Sequence, residues 1–297
     1  MTRPSAHRPV LVGVDGSTAA RAAVTAGTEE ARLRSAPLRL VTVRTWPIGD
    51  VPLLHELDEV VGPVLGGAEG ALRELAAEAS TVLGHERVSW SVEEGDPVRA
   101  LAVAAADAQL LVLGARGIGG VAGLLLGSTA AGVVAAAPCP VLVLPDEASV
   151  VVRGRSSVVV GVQGRPEDED VLRFAVSEAL ARRTDLVAVH AWRDDVLETA
   201  VRSTGPLVDW TAVRADAERL LAESLAGWVE KEPDLVLREV VVRDRAGAAL
   251  LAAGTTAHVL VIGHRHRRPL ARLGSTTHAV LHRARCPVAV VPLGGAG

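Results

Sequence analysis

The fold is decided by the stretch Leu110-Leu-Val-Leu-Gly-Ala-Arg-Gly117, which is followed after nine residues by Gly127-Ser128. Its apolar half predicts a buried strand, and the residues from Ser128 to Ala137 have the composition of a helix. A strand that opens into a glycine-rich loop and then a helix is a common way to hold phosphate, because glycine allows close backbone approach and the helix N-terminus presents free N–H groups. An altered copy of this stretch follows about 150 residues later.

An internal repeat divides the 297-residue chain into two halves. The segment Pro9-Val-Leu-Val-Gly-Val-Asp-Gly-Ser17 pairs with Ser157-Val-Val-Val-Gly-Val-Gln-Gly-Arg165. Each half holds four or more short β-branched runs separated by alanine-rich stretches. Near-continuous apolar strands are typical of parallel sheets covered by helices on both faces. We predict two tandem doubly wound α/β domains, residues 1–149 and 150–297, with the boundary in the polar segment 146–156.

The elements of the first half can be predicted individually. Ser17 or Thr18 is a suitable N-cap for the first helix, and Pro97 suits the first position of a later one. The predicted strands are residues 10–14, 38–45, 87–93, 109–114 and 141–145, and the predicted helices are residues 17–34, 65–83, 97–108 and 128–137.

Composition excludes several classes of protein. A net charge of −4 and 2% aromatic residues, with no tyrosine, disfavour a nucleic-acid binder. Residues 117–145 carry no charge and are long enough to span a bilayer, but their glycines and prolines favour loop, buried helix and last strand. No signal peptide is visible, so we expect a cytoplasmic protein.

Cys139 and Cys286 occur in matching contexts, which predicts one small buried residue per domain rather than a disulfide.

Four anchors in the first half carry a family resemblance. They are Val12-Gly-Val-Asp-Gly-Ser17, Gly95-Asp-Pro97, the Gly-x2-Gly-x9-Gly-Ser loop and Ala137-Pro-Cys-Pro-Val141. With these anchors the chain resembles the universal stress protein family, as two tandem copies of the actinobacterial type. The resemblance implies a Rossmann-like fold of the adenine nucleotide α-hydrolase-like type, and binding of ATP, which many members bind and others do not.

Carried over to the first copy, the resemblance implies an ATP site at the carboxyl edge of the sheet. Asp15 would lie near the adenosine end or help to hold a metal such as Mg²⁺, and Val43 would meet adenine through its backbone. The loop and the start of the following helix would wrap the phosphates, with Arg116 pairing with a phosphate oxygen. The implied ligand-contacting residues are Gly13, Asp15, Val43, Gly114, Arg116, Gly117, Gly127, Ser128 and Thr129.

Each residue has a plainer interpretation. The glycines can serve only the turns, Asp15 can be a polar turn residue before the first helix, and Arg116 can be solvated. Val43 is core-like in either case. The set and its spacing favour phosphate binding over these alternatives.

The second copy departs from the pattern. Gln163 replaces Asp15, Arg165 replaces Ser17 and His266 replaces Gly117, and the loop has 10 intervening residues instead of 12. A histidine there removes any left-handed freedom that the site needs. Nucleotide binding in this half is therefore doubtful, although counterparts of the ligand-contacting residues persist as Gly161, Gly263, Gly274 and Ser275.

Charged runs and a histidine pair in the second half leave alternatives open. The basic run 264–268 in the loop either binds phosphate through side chains or is solvated. The acidic run 167–170 complements the dipole of its helix, repels phosphates or meets the basic loop. His278 and His282 have the i, i+4 spacing of a zinc pair, but no third ligand is evident, which favours a surface or packing role.

Three functions remain compatible with the sequence: an ATP-binding stress-response regulator, a nucleotide-free scaffold of the same fold, and a slow ATP-hydrolysing enzyme. No nucleophile–base constellation stands out, and Arg116 is the one cation near the first loop, which disfavours an enzyme.

Apolar last strands at residues 141–144 and 288–291 are liabilities if left bare. We therefore predict that the two copies pack through them as a pseudo-twofold pair, that tandem chains form a homodimer, and that an unidentified protein, rather than nucleic acid or membrane, is the macromolecular partner.

Overall fold

The computed structural model describes residues 8–45, 58–117, 126–145, 157–192, 209–265 and 273–294. Those up to residue 145 form one compact unit, and those from residue 157 onward form another. The two units correspond to the two halves of the internal repeat. The predicted boundary, residues 146–156, lies outside the described residues.

The first domain contains a five-stranded sheet in the order β3-β2-β1-β4-β5, with every described neighbouring pair parallel. Its strands are β1 (Val10–Gly13), β2 (Leu38–Arg44), β3 (Val88–Glu94), β4 (Leu110–Gly114) and β5 (Val141–Leu144). Its helices are α1 (Thr18–Leu33), α2 (Asp58–Leu83), α3 (Pro97–Ala104) and α4 (Ser128–Ala136), with single 3₁₀ turns at His85–Arg87 and Ala105–Asp107.

The second domain repeats this plan, with its parallel strands in the order β8-β7-β6-β9-β10. Its strands are β6 (Ser157–Gly161), β7 (Asp185–Ala191), β8 (Leu237–Val242), β9 (Ala257–Arg265) and β10 (Val288–Leu293). Its helices are α5 (Asp168–Arg182), α6 (Trp210–Leu225), α7 (Trp228–Lys231), α8 (Ala246–Ala253) and α9 (Ser275–Arg283), with a 3₁₀ turn at Gly254–Thr256.

The central strands are buried on both faces, which is why they lack alternation in the sequence. Val10, Leu11 and Val12 of β1 have no exposed surface, and β4 beside it is equally apolar and buried. The α/β class and the parallel sheets predicted from these runs are confirmed. Packing of the two domains as a pseudo-twofold pair stays a prediction.

The predicted first-domain elements all form, with shifts at their ends. Ser17 is the N-cap of α1, and its Oγ accepts a hydrogen bond from Ala20 N at 3.1 Å. Helix α2 begins at Asp58, seven residues before its predicted start, and the helix predicted to end at residue 108 ends at Ala104 and continues as a 3₁₀ turn. Both differences lie at helix ends, where local signals are weakest.

The uncharged segment 117–145 contributes α4 and β5 to the first domain, as predicted. Within the described residues, the structure has no helix that is long and apolar enough to cross a membrane. Cys139 and Cys286 are both buried, and no disulfide joins them. Burial raises the pKa of the Cys139 thiol to about 12, so this residue packs as a small neutral group, as predicted.

Both domains place a buried ion pair at the same point of their first helix. Glu30 pairs with Arg34 on α1, and Glu178 pairs with Arg182 on α5. The two carboxylates are only 4% and 2% exposed, respectively. A carboxylate buried this deeply depends on its partner, because an uncompensated charge in the interior is costly.

Candidate functional site

A cavity of about 490 Å³ opens at the carboxyl edge of the first-domain sheet, where β1, β2 and β4 end and α4 begins. Open α/β sheets bind their ligands at this edge. The structure brings all the residues predicted for the first copy to the wall of this cavity, namely Gly13, Asp15, Val43, Gly114, Arg116, Gly117, Gly127, Ser128 and Thr129.

The two ends of the glycine-rich loop are joined by the backbone. Gly127 N donates to Ala115 O at 2.7 Å, and Ala115 N donates to Leu144 O at 2.8 Å. Gly127 is the N-cap of α4 and provides no side-chain cap, and Ser128 and Thr129 of the first turn line the cavity. A helix N-terminus of this kind favours anions.

Gly117 lies in close contact with the Asp15 side chain. Its backbone is not left-handed; the positive φ in this region belongs to Gly16, at 85°. A Cβ at position 117 would instead overlap Asp15 Oδ2. The Asp15 carboxylate, whose Oδ1 accepts a hydrogen bond from Ser17 N at 3.0 Å, therefore lies directly against the loop.

Gly13 and Gly114 pack closely against neighbouring side chains, and these contacts do not involve a ligand. A side chain at Gly13 would meet Leu113 and Leu101, and one at Gly114 would lie 2.8 Å from Ala19 Cβ on α1. These two glycines therefore allow α1 and α3 to pack closely on the sheet. This agrees with the plainer interpretation of the glycines.

The apolar wall of the cavity was not predicted as part of the site. It includes Val41, Pro97, Leu101, Leu113 and Leu126. A partial signal exists, because Val41 is the register partner of Gly13 and Pro97 belongs to the Gly95-Asp-Pro97 anchor. Leu101 and Leu126 reach the cavity through helix and loop geometry that the sequence pattern does not reveal.

Charge at this cavity is sparse: among the described lining residues, Asp15 and Arg116 alone have ionisable side chains. Across the described parts of the chain, no group of three or more His, Cys, Asp or Glu residues is arranged to hold a metal. A metal ion at Asp15 would therefore depend on ligand oxygens and water for the rest of its coordination shell.

In the second domain the predicted counterparts occupy the same elements. Gly161 ends β6, Gly263 lies in β9, and Gly274 and Ser275 are the N-cap and the first residue of α9. A side chain at Gly161 would lie 3.1 Å from Leu250. At Gly263 the neighbours at 3.0 Å are Leu293 and Val171, so these glycines are closely packed by their own domain.

The start of the basic run is strand rather than the predicted loop. His264 and Arg265 belong to β9 and pair with Pro292 and Leu293 of β10, so the strand continues two residues beyond Gly263, whereas β4 ends at Gly114. His264 is also buried, which contradicts a solvated run at that position. Residues 266–268, including the predicted His266 exchange, lie outside the described residues.

The acidic run meets this strand at one point. Glu167 Oε1 lies 3.0 Å from an Nη atom of Arg265, as one of the alternatives for the acidic run predicted. A hydrogen bond from its own backbone N–H lowers the pKa of Glu167, and the charges of Arg265 and Arg165 add to that shift. The remaining acidic residues, 168–170, lie in the first turn of α5, where they complement the helix dipole.

Asp168 closes the turn between β6 and α5. Its Oδ2 accepts hydrogen bonds from the backbone N–H groups of Gln163, Gly164 and Arg165 at 2.7, 2.7 and 3.0 Å, and the residue is 3% exposed. Three amides that converge on one point form an anion-binding nest. In the second domain this nest is filled by the chain's own carboxylate.

The two domains also differ where β2 and β7 end. In the first domain Arg44, at the end of β2, pairs with Glu94 of β3 at 3.3 Å. In the second domain Trp192 follows β7, and the Arg243 guanidinium lies 5.7 Å from its ring centroid and 3.7 Å from that of Trp210. An ion pair is thus replaced by a cation–π cluster.

His278 and His282 stack on α9 with ring centroids 4.1 Å apart. Partial burial, together with the charges of His278 and Arg283, lowers the pKa of His282. The described residues bring no third metal ligand to the pair. The surface or packing role that the sequence favoured stays a prediction.

The fold and the loop together define a tandem, doubly wound α/β protein with a cleft at the carboxyl edge of its first sheet. The profile of the universal stress protein family matches residues 6–145 and again residues 154–292. The chain therefore belongs to the universal stress protein family, as its motifs predicted.

Similar proteins agree over nearly the whole length. Universal stress protein Rv2005c of Mycobacterium tuberculosis (strain ATCC 25618 / H37Rv) is 36% identical over 302 residues, which cover 98% of this chain and 99% of that protein. Universal stress protein Rv2623 of the same strain is 37% identical over 293 residues, which cover 95% of each. The crystal structure of a universal stress protein from Archaeoglobus fulgidus DSM 4304 matches in fold with a TM-score of 0.70, at 20% identity, covering 98% of this chain and 100% of that one.

Proposed function

We propose that the first domain binds ATP in its carboxyl-edge cleft and that the protein acts as a nucleotide-dependent stress-response regulator. The observation that carries this proposal is the convergence of the predicted residues, from three strand ends and one helix start, on a single cavity of about 490 Å³. This volume is within the range of small-molecule sites, roughly 300–1,000 Å³.

The two ends of the cleft suit the two ends of a nucleotide. The polyphosphate would lie along the loop and the start of α4, where backbone N–H groups and Arg116 can compensate its charge. The base would lie against the apolar wall, which includes Val41, Leu101 and Leu113, and would contact the Val43 backbone.

Mg²⁺ is part of the proposal because of Asp15. A carboxylate beside a polyphosphate is repulsive unless a cation lies between them. Asp15 would supply one oxygen ligand, and the phosphates and water would supply the others, which is the usual way in which Mg²⁺ is bound with nucleotides.

Stable occupancy fits the cleft better than rapid turnover. Fast phosphoryl transfer needs several cations and a residue that positions water, and the part of the lining that the structure describes offers one arginine and one carboxylate. We propose that bound ATP sets the conformation that a protein partner or a second copy of the chain recognises, in the cytoplasm.

A nucleotide-free scaffold is the second candidate. It is favoured by the packing of Gly13 against Leu101 and Leu113, and of Gly114 against Ala19, because these contacts explain two glycines of the pattern without a ligand. They do not explain why the Asp15 carboxylate lies against Gly117.

Matched serine variants separate the two candidates. Ser128→Ala and Ser275→Ala change the same position, the first residue of α4 and of α9. By calorimetric titration with Mg²⁺-ATP, we expect Ser128→Ala to weaken binding by about three- to tenfold, the loss of one hydrogen bond. Ser275→Ala should leave binding unchanged. Absence of any binding by the parent protein would support the scaffold.

A further inference from the structure

The two domains carry different residues directly after the glycine at the carboxyl end of β4 and at its counterpart in β9. In the first domain β4 ends at Gly114, and Ala115 after it is buried and lines the cleft. In the second domain β9 continues, and the residue after Gly263 is His264, which is also buried. An alanine methyl group is therefore exchanged for an imidazole ring at this point of the sheet edge.

Strand pairing establishes that these two residues are equivalent. After an irregularity at the start of β6, β9 pairs with β6 and β10 in the same register in which β4 pairs with β1 and β5. This register makes Gly114 the counterpart of Gly263. The next residues, Ala115 and His264, therefore take the same place in their domains.

The direction of the His264 side chain follows from its neighbour. A Cβ at Gly114 would lie 2.8 Å from Ala19 of α1, and one at Gly263 would lie 3.0 Å from Val171 of α5. Successive side chains of a strand point to opposite faces of the sheet. His264 therefore points away from α5, to the face that α8 and α9 cover, which corresponds to the face of the cleft covered by α3 and α4 in the first domain.

The burial of His264 shows that the space around its ring is filled. The residue keeps 4% of its surface exposed. Its backbone is held by the pairing of β9 with β10, where His264 is the register partner of Pro292, whereas β5 of the first domain ends at Leu144. Because protein interiors are closely packed, a ring in this place excludes a ligand from it.

A second alanine of the first lining is also replaced. Ala20 on α1 lines the cleft, and Asp168 takes its position at the start of α5. The Asp168 carboxylate is held by three backbone amides of its own turn. Its negative charge disfavours a polyphosphate nearby. Asp168 stabilises the turn, so we leave it unchanged in the test of His264.

We propose that His264 closes the nucleotide cleft of the second domain, because its imidazole fills the space that Ala115 leaves open in the first. This inference rests on the ATP site proposed for the first domain. It adds that the second domain keeps the frame of the same site and occupies it with its own side chain. The ligand that the second cleft takes once it is opened is an adenine nucleotide.

The direct test is the number of ATP molecules that His264→Ala binds in calorimetric titration with Mg²⁺-ATP. We expect one equivalent for the parent protein and two for the variant. The second equivalent should bind at least about tenfold more weakly than the first, because Gln163 offers no carboxylate for a metal and Asp168 remains in place. Should the alanine variant fail to fold, His264→Ser creates a similar space.

Two matched variants and a small molecule are the controls. His264→Leu keeps the volume of the side chain and should bind one equivalent. His190→Ala removes a half-buried histidine at the end of β7, whose Nδ1 lies 2.9 Å from Val162 O. Its counterpart Thr42 is not among the described residues that line the first cleft, so this variant should also bind one equivalent. Free imidazole should refill the space in His264→Ala and compete with the second ATP but not with the first.

The outcomes separate this inference from the proposed function. One equivalent for both the parent and a folded His264→Ala would overturn the role of His264 and leave the first-domain site intact. A second equivalent in His264→Leu or His190→Ala, or a second ATP that imidazole does not displace, would show that the imidazole volume does not close the cleft. No ATP bound by the parent or by any variant would contradict the proposed function together with the inference.

Discussion

The two domains share a frame and differ at its carboxyl edge. Strand order, parallel pairing and the buried pair on the first helix are the same in both. In the first domain β4 ends at Gly114 and a cavity lies beyond it, whereas in the second domain β9 runs on to Arg265. The comparison teaches that the frame tolerates a changed loop, because the parallel strand order and the buried ion pair are kept in the second domain.

The Asp15 and Asp168 carboxylates illustrate this separation. Asp15 is exposed and lies against Gly117 at the cavity. Asp168 is buried and closes its own turn with three hydrogen bonds. One acidic group lines the cleft, and the other is buried in its own turn.

The largest effect we expect tests the shared frame. Arg182→Ala would remove the guanidinium that pairs with the buried Glu178 carboxylate and should lower the free energy of unfolding by about 3 kcal/mol. Arg34→Ala should cost a similar amount through Glu30 in the first domain. Urea denaturation followed by circular dichroism measures both.

Arg173→Ala is the control for the Arg182→Ala and Arg34→Ala variants. Its ion pairs with Glu169 and Asp170 are exposed, so the loss should stay below about 1 kcal/mol. If Arg182→Ala or Arg34→Ala lowers the free energy of unfolding by no more than this control does, the buried ion pair does not stabilise both domains.

The second prediction concerns the difference between the clefts. Gly117→Ala would push the Asp15 carboxylate away from the loop, since the new Cβ would overlap Oδ2. We expect ATP affinity to fall at least tenfold in calorimetric titration, about 1.4 kcal/mol. Gly274→Ala in the second domain has open space around it and should leave ATP affinity unchanged. Equal effects of the two variants would contradict the asymmetry.

The order of elements and the first-domain site could be predicted because their signals are local. The apolar run 110–113 marks a buried strand, Ser17 has a preferred N-cap side chain, and the glycine spacing places the loop. The residues predicted for the first cleft follow from strand ends, which meet at one edge in any parallel sheet.

Other features depend on contacts between distant residues. His264 and Arg265 were predicted as loop because they are polar, but pairing with Pro292 and Leu293 draws them into β9. Helix α7 is four residues long and carries no pattern that a sequence could reveal. The proximity of Gly117 to Asp15 is likewise a tertiary contact that the sequence does not reveal.

The smallest effect concerns the contacts at the ends of β2 and β7. Arg243→Ala removes the guanidinium between Trp192 and Trp210 and should cost about 1 kcal/mol of stability. Glu94→Ala breaks the exposed pair with Arg44 and should cost about 0.5 kcal/mol or less. Thermal unfolding of both variants tests the order. A larger loss for Glu94→Ala would mean that the cation–π cluster is not the stronger of the two contacts.

The central claim is that one domain binds the nucleotide and the other does not. It is tested most directly by mass spectrometry of the small molecules released when freshly purified protein is denatured, with the amount of nucleotide measured per chain. The account predicts about one ATP per chain. Two per chain would show that the second domain binds despite its extended strand, and none, together with no ATP binding by calorimetry, would contradict the regulator and leave the scaffold.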